Sequence, residues 1–286
     1  MAVFKKMNKM KVVLNYLPAL AIAVSSYANA ITLEDLKKLI EEKLKEPAEI
    51  IRNEDIIQFN GYLGRDNIDK LLQELQTGKP RVLKINSGGG EIPGAIQIGE
   101  KVIELGLEVE VEELCASSCA NYIFTAGKKK TINSGSVVHW HGDGQQKDKR
   151  EHIECKKSKS RYSGYVDMVT DETVALGLRI QELEKNFYAK IGVSSYIARA
   201  AQEPHFFNRN VTYTVEDLRI FGVHNVTAEP GYGTTEFCEK HNKKSGMNIL
   251  CLPVSSHMLA YENARTTLGE VCKEDGSLVI NSILLE

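Results

Sequence analysis

Hydrophobic and polar positions along residues 50–227 follow two periods, one typical of strands and the other of helices. The short apolar run Arg81–Ile85 predicts a buried strand, whereas apolar residues three or four positions apart in Asn67–Gln76 and Ile92–Leu105 predict helices. Strands that alternate with helices indicate an α/β domain built from layers of secondary structure. We therefore predict one α/β domain over residues 50–227, without an internal repeat.

The remaining predicted elements of this domain alternate in the same way. Further strands are predicted at 50–59, 107–111, 136–140 and 222–226, and further helices at 116–127, 170–191 and 213–221. Residues 143–165 interrupt the alternation with a polar, charge-rich insert. Such a composition predicts a solvated loop, and a lid or a contact for acidic groups is the alternative.

Two further segments flank the domain. Residues 31–49 contain an amphipathic helix over Thr32–Lys45, whose apolar stripe predicts a packing arm, with a partner-binding helix as the alternative. Residues 228–286 lose the periodicity after Pro230 and form a C-terminal tail that carries three cysteines. A tail this short has little core of its own, so we expect at least one disulfide within it.

The first 30 residues have the layout of a secretory signal. Four lysines and no acidic residue precede an apolar stretch at 12–24, and Ala28-Asn29-Ala30 follows as a small-x-small cleavage site. We predict a signal peptide over residues 1–30, a mature chain that begins at Ile31, and a periplasmic or secreted protein. An uncleaved anchor helix is the alternative; Pro18 and the shortness of the apolar stretch disfavour it.

Composition and charge narrow the class of protein. The chain of 286 residues is 42% hydrophobic and 26% charged, which is typical of a globular protein. Its formal net charge is -2, and without the four N-terminal lysines 32 basic residues stand against 38 acidic ones. Binding to a phosphate backbone needs a positive field, so we expect no nucleic-acid partner.

All six cysteines lie after the predicted signal peptide. An even number in an exported chain indicates disulfides, and the absence of a CxxC pair gives a structural zinc site little support. Cys115 and Cys119 are four positions apart, so they either form a short bridge or leave a free thiol. The six residues are Cys115, Cys119, Cys155, Cys238, Cys251 and Cys272.

Two segments offer groups that suit acyl chemistry. Three glycines within Ile85–Glu91 let the backbone approach a ligand and point N–H groups at an oxyanion; the alternative is a tight strand-to-helix turn. Small residues within Cys115–Gly127 expose a hydroxyl at the start of a helix, with the next N–H aimed at the developing oxyanion. The alternatives there are a helix contact through small residues, or Ser117 as a simple N-cap.

A third segment, His139-Trp140-His141, closes a predicted strand. Alternate residues of a strand share a face, so both imidazoles can point the same way. One interpretation is a general base beside a nucleophile, and the other is a two-histidine metal site. With no clear third ligand nearby, we predict no metal.

The order of these three segments resembles the Clp-protease/crotonase superfamily, above all the proteolytic subunit of Clp protease and its exported relatives. The resemblance covers about residues 50–226, and its specific part is 84–142. It implies an α/β fold of layered β-β-α units in a spiral, followed here by the cysteine-containing tail.

The resemblance also implies site residues. The family's glycine turn supplies one oxyanion donor, which matches Gly89, and its nucleophile lies seven residues before the threonine of a T-A-G segment, which matches Ser118. The adjacent N–H then belongs to Cys119. The family's base closes the following strand, which matches His141, with His139 on the same face.

The family's orienting acid has no direct match in this chain. Counting back from the predicted helix end at 221–223 puts Asn210 at that position, and Glu203 is the nearest carboxylate upstream. An asparagine can hold an imidazole by a hydrogen bond but supplies no charge. The site is therefore a Ser–His dyad, or a triad completed by Asn210 or Glu203. A further departure is Gly88, where the family often has proline.

The function implied by the resemblance is peptide hydrolysis by acyl transfer, without a metal or organic cofactor. Substrates would be peptides or unfolded proteins, and relatives form rings, trimers or hexamers, so a homo-oligomer is expected as one option. A catalytically inactive binding or scaffold protein is the alternative, favoured by the missing acid. An acyl-thioester enzyme ranks last, since an exported compartment lacks a ready supply of coenzyme A.

Overall fold

The computed structural model describes residues 38, 41–155, 170–203, 210–275 and 277–281. The predicted signal peptide and most of the predicted N-terminal helix lie outside the described residues, although 41–45 are helical. No helix in the described part of the chain is both long and apolar enough to cross a bilayer.

The centre of the fold is a mixed, mainly parallel sheet of seven strands. Its strands are β1 (Glu49–Asn53), β2 (Ile56–Asn60), β3 (Val82–Ser87), β4 (Glu108–Ala116), β5 (Lys130–Ile132), β6 (Val137–His139) and β8 (Val226–Thr227). The order is β1-β2-β3-β4-β5-β8, with β6 also paired to β4. Only β1 and β2 are antiparallel. The prediction of an α/β class is confirmed, whereas the single strand predicted at 50–59 is a hairpin that turns at Glu54, whose φ is 54°.

On one face of this sheet lie α1 (Arg65–Gln76), α2 (Ile92–Leu105) and a π-helix (Cys119–Phe124). Further helices are α3 (Lys147–Glu154), α4 (Asp171–Ile191), α5 (Tyr196–Arg199), α6 (Val215–Ile220), α7 (Thr235–Ser245) and α8 (Ser256–Leu268). Cys238 of α7 belongs to a separate apolar cluster with Leu114 and Ala116 of β4. The inward residues of β2, β3 and β4 are buried under α1, α2 and the π-helix, while the alternate residues stay partly exposed. This alternation is typical of a sheet with one apolar face.

The long helix α4 shows how the sequence sets the ends of an element. The Thr170 hydroxyl accepts the Thr173 N–H at 3.2 Å as a cap, and Gly192 ends the helix with a φ of 67°. Phe187 on its buried face packs edge-on against Tyr122 of the π-helix, with ring centroids 5.6 Å apart. The helix therefore supports the π-helix from outside the sheet.

A second, smaller group of strands extends from the end of β4. Only the first part of β4 pairs with β5; its last three residues, Leu114 to Ala116, pair with β6. Beyond β6 an antiparallel bridge joins Trp140 to Val211 in β7 (Asn210–Thr212), which pairs with β9 (Ile249–Cys251). The C-terminal segment thus supplies β9, the strand that pairs with β7 after the histidine segment.

The polar insert is more ordered than its composition predicts. Residues 147–154 form α3 instead of a solvated loop, and the part at 156–165 lies outside the described residues. Arg150 of α3 is buried and pairs with Glu203 at 3.0 Å and Glu270 at 2.7 Å. Distant carboxylates therefore let this charged segment pack, because a buried charge is tolerated when it is paired and hydrogen-bonded.

Three disulfides tie the described elements together. They are Cys115–Cys119, Cys155–Cys272 and Cys238–Cys251. The last joins α7 to β9, so the prediction of a bridge within the C-terminal segment is confirmed. Cys155–Cys272 joins the end of α3 to β10 (Glu270–Cys272), which forms a hairpin with β11 (Leu278–Ile280).

We expect the disulfides Cys155–Cys272 and Cys238–Cys251 to differ in their contribution to stability. The double substitution Cys155→Ala/Cys272→Ala opens a loop with a sequence separation of 117, and Cys238→Ala/Cys251→Ala opens one of 13. On the loop-entropy model we expect losses in the free energy of unfolding of about 5 and about 3 kcal/mol, respectively. Urea unfolding of the oxidised proteins measures both, and unchanged stability without Cys155–Cys272 would contradict the prediction.

Candidate functional site

Main-chain hydrogen bonds bring the serine segment and the histidine segment side by side. Ala116 pairs with His139 where β4 meets β6. The Ser117 N–H donates to the His139 carbonyl at 3.2 Å, and the Asn121 side-chain amide donates to the Gly142 carbonyl at 3.0 Å. The two segments are therefore joined on both sides of Ser118 and His141.

The glycine turn lies directly against the serine segment. The Leu63 N–H donates to the Gly89 carbonyl at 2.8 Å and holds the turn from behind. Gly89 has a φ of 91°, and a Cβ there would lie 2.6 Å from the Ala116 carbonyl oxygen and 2.7 Å from the Ser117 Cβ. Only glycine fits this approach, because any side chain would collide with backbone and demand a strained φ.

The family resemblance gives catalytic roles to the Ser118 hydroxyl and the Gly89 N–H, and both groups have hydrogen-bond partners within the chain. The Ser118 hydroxyl, 2% exposed, donates to the Gly90 carbonyl at 2.7 Å. The Gly89 N–H donates to the Ser87 hydroxyl at 3.1 Å. A substrate carbonyl that uses these groups must therefore displace both hydrogen bonds.

Ser117 occupies an unusual place between β4 and the π-helix. Its φ is 57°, a left-handed conformation, and its side chain is half-buried. The interpretation of Ser117 as a simple N-cap is wrong, because the residue at the cap position is Ser118 and no side chain caps this helix. The predicted α-helix at 116–127 is a π-helix in its central turn, a feature that is often found at functional sites.

A disulfide encloses the serine pair. Cys115 and Cys119 are bonded, with their Cα atoms 5.3 Å apart, and all six cysteines of the chain are paired. Of the two alternatives for these residues, the structure contains the bridge and not the free thiol. The bridge closes a ring around Ser117 and Ser118 and so limits the conformations that this corner of the chain can adopt.

The strand register puts Asn210 opposite His141. Trp140 and Val211 form a hydrogen-bonded antiparallel bridge, with both N–H···O distances at 2.9 Å. The next facing pair in an antiparallel register is His141 and Asn210, and Asn210 is buried. The Nε2 atom of His141 is buried and has no hydrogen-bond partner within the described part of the chain, so the site contains no formed Ser–His hydrogen bond.

Glu203, the other candidate for the orienting residue, has different partners. Its carboxylate accepts hydrogen bonds from Arg150 at 3.0 Å and from the Tyr261 hydroxyl at 3.0 Å. Its neighbour Gln202 donates its side-chain amide to the His141 carbonyl at 2.7 Å. This segment therefore supports the backbone of His141, while its carboxylate belongs to an ionic cluster.

That cluster, here called the arginine cluster, was not predicted from the sequence. Arg199 is buried and pairs with Asp143 at 3.1 Å and Glu262 at 2.6 Å. The cluster consists of Arg150, Arg199 and Arg265 with Asp143, Glu203, Glu262 and Glu270. It anchors the chain two residues after His141 to α5 and α8, and its members come from segments that the sequence gives no reason to associate.

Burial keeps the two strand histidines neutral. It lowers the pKa of His141 to about 4, with a smaller contribution from the charge of Lys149. Burial also lowers the pKa of His139 to about 3, with smaller contributions from His141 and His241. A neutral imidazole has the protonation state that a general base needs. Among the described residues, no group of three or more His, Cys, Asp or Glu is arranged to hold a metal ion.

No protein-family model and no curated protein matches this chain. Function must therefore be inferred from the arrangement of the molecule itself. Its central feature is a serine pair packed between a glycine turn and a strand that ends in a buried His139 and a half-buried His141, both neutral.

We expect His139 to make stability depend on pH. The folded state has a His139 pKa of about 3, below the usual value, so the unfolded state binds a proton first as the pH falls and stability decreases. Relative to His139→Gln, the unsubstituted protein should lose about 2 kcal/mol of unfolding free energy between pH 7 and about pH 5.

Urea unfolding of both proteins at a series of pH values measures this difference. Glu184 has the opposite influence, since burial raises its pKa to about 7, but it is present in both proteins and cancels in the comparison. Parallel pH profiles for the two proteins would show that His139 is not held in the neutral form.

Proposed function

We propose that this protein is an exported serine hydrolase that acts on peptides and has a fold of the Clp-protease/crotonase type. One observation carries the proposal: the serine pair is hydrogen-bonded to the strand of His139 and His141 and packs against a glycine turn that tolerates no side chain. A nucleophile, a base and backbone donors are the groups that acyl transfer needs in one place.

The mechanism uses these groups in their ordinary roles. One hydroxyl of the serine pair, Ser118 by the resemblance, attacks the peptide carbonyl while His141 accepts its proton and returns it to the leaving amine. The N–H groups of Gly89 and Cys119 stabilise the oxyanion, and each such donor is worth a factor of roughly 100 to 1,000 in rate. Asn210, opposite His141 in the strand register, orients the imidazole without adding charge.

Three features support an exported protein. The first 30 residues have the layout of a signal peptide, the described chain contains three disulfides, and no described helix could span a bilayer. Outside the cytosol no ATP-driven unfoldase delivers substrates. We therefore propose short peptides or already unfolded proteins as substrates, and a homo-oligomer as one possible assembly.

A binding or scaffold protein without catalysis is the second candidate. It is favoured by the asparagine opposite His141 and by the internal hydrogen bonds of Ser118 and Gly89. The low pKa of His141 also makes this imidazole a weak base. Reaction with a serine-directed probe separates the two candidates.

We expect a fluorophosphonate to form one covalent adduct on the serine pair of the mature protein. His141→Gln should slow the reaction at least 100-fold, because a positioned general base contributes about that factor or more. His224→Gln is the matched control, since His224 is exposed and lies outside the site. Intact-protein mass spectrometry over time measures the rates. A folded protein that forms no adduct, or an adduct that is indifferent to His141, would favour the binding protein.

We expect Asn210→Asp to increase the reactivity of the site. A carboxylate opposite His141 should raise the pKa of that imidazole by roughly 1 to 3 units and hold it in the productive tautomer. The labelling rate at neutral pH should rise about tenfold or more, in line with the effect of an orienting carboxylate. The exposed Asn225→Asp adds the same charge elsewhere and should change neither value. NMR titration of His141 provides the pKa, and an unshifted value would show that residue 210 does not act on this ring.

A further inference from the structure

The two adjacent serines differ in their access to a substrate. Ser118 is 2% exposed, and its hydroxyl donates to the Gly90 carbonyl at 2.7 Å. Ser117 is half-buried, and its hydroxyl has no hydrogen-bond partner in the described part of the chain. An attacking hydroxyl must reach a substrate carbonyl, so Ser117 satisfies this condition as the structure stands and Ser118 does not.

The backbone of Ser117 is held in a conformation that disfavours side chains. Its φ is 57°, and only two other non-glycine residues of the described chain have a positive φ, Glu54 in a hairpin turn and Asn225. Hydrogen bonds fix it on both sides: its N–H donates to the His139 carbonyl at 3.2 Å, and its carbonyl accepts the Asn121 N–H at 2.8 Å. Strain that the surroundings enforce in this way is concentrated at functional sites.

The glycine turn contacts Ser117 as closely as it contacts Ser118. A Cβ at Gly89 would lie 2.7 Å from the Ser117 Cβ and 2.9 Å from the Ser118 nitrogen. If Ser117 attacks, the N–H that follows the nucleophile is that of Ser118, which therefore lies beside the Gly89 backbone. The same pair of backbone donors that acyl transfer needs is thus present one residue earlier than the resemblance indicates.

The π-helix explains why a residue count selects the wrong serine. Hydrogen bonds from residue i to i+5, in place of i+4, give a π-helical turn about one residue more than an α-helical turn. The turn at Cys119–Phe124 lies between the serine pair and Thr125, from which the count to Ser118 starts. Compared with an α-helical turn, the one extra residue moves the corresponding position to Ser117.

We infer that Ser117 is the catalytic nucleophile of this site, an inference that rests on the proposed hydrolase function. Its Oγ forms a bond to the carbonyl carbon of the substrate and its proton passes to His141. The C–N bond then breaks, and the amine leaves with that proton. Water then attacks the acyl-Ser117 ester and passes a proton to His141. The bond between the acyl carbon and Oγ breaks, the carboxylic acid leaves, and His141 returns the proton to Oγ. The Ser118 hydroxyl keeps the Gly90 carbonyl in place throughout.

The experiment locates the fluorophosphonate adduct by tandem mass spectrometry, since fragment ions that break the chain between 117 and 118 distinguish the two serines. We expect the adduct on Ser117. Ser117→Gly should lower the labelling rate at least 100-fold while raising the melting temperature, because glycine adopts a positive φ without strain. Ser118→Ala should lower the rate less than tenfold and leave the adduct on Ser117.

The outcomes separate this inference from the proposed function. An adduct on Ser118 that depends on His141 would overturn the assignment of Ser117 and leave the serine hydrolase standing. An adduct on Ser117 that persists unchanged in His141→Gln would also overturn it, since the hydroxyl would then react without its base. No adduct on either serine, in a protein whose circular dichroism and disulfides are intact, would overturn both proposals.

Discussion

The pairing of the last three residues of β4 with β6 is the interaction on which the site depends. It draws β4 away from β5, so that one strand serves two groups of neighbours. The serine pair then leaves β4 beside the histidines that leave β6, and the Ser117 N–H closes the junction on the His139 carbonyl. Main-chain hydrogen bonds thus join the segments at this end, and the Asn121 side chain joins them at the other through the Gly142 carbonyl.

The arginine cluster holds the outer helices and loops in position, as strand pairing holds the serine and histidine segments. Arg150 and Arg199 pair with carboxylates from α8, from β10 and from the segment after α5, and with Asp143 they fix the chain that follows His141. Buried ion pairs contribute little net stability, because desolvation offsets their attraction, but a missing partner is costly. The cluster therefore acts as a geometric constraint: each arginine tolerates only an arrangement in which its carboxylates are present.

Much of the fold could be predicted from the local pattern of apolar residues, because the spacing of these residues within an element defines its buried face. The strand at 81–85 and the helix capped by Thr170 are confirmed for this reason. The helix α3 was missed because the partners of Arg150 are 53 and 120 residues away in the sequence. The π-helix was missed because its buried positions are indistinguishable from an α-helical stripe. At the site, segment order suggested Ser118 and His141, whereas the hydrogen bonds of Ser118 and Gly89 arise only in the folded chain.

The Cys155–Cys272 bridge determines how late in folding the support behind His141 can form. Cys272 lies near the end of a chain of 286 residues, and the carboxylate of Glu270 beside it is a partner of Arg150. In a chain that is made from its N-terminus, Cys155 therefore has no covalent partner until the 117 residues that separate it from Cys272 have followed. In a reducing compartment this bridge does not form, and the support behind His141 is incomplete. Completion of the site is thus a late event in folding that requires an oxidising environment.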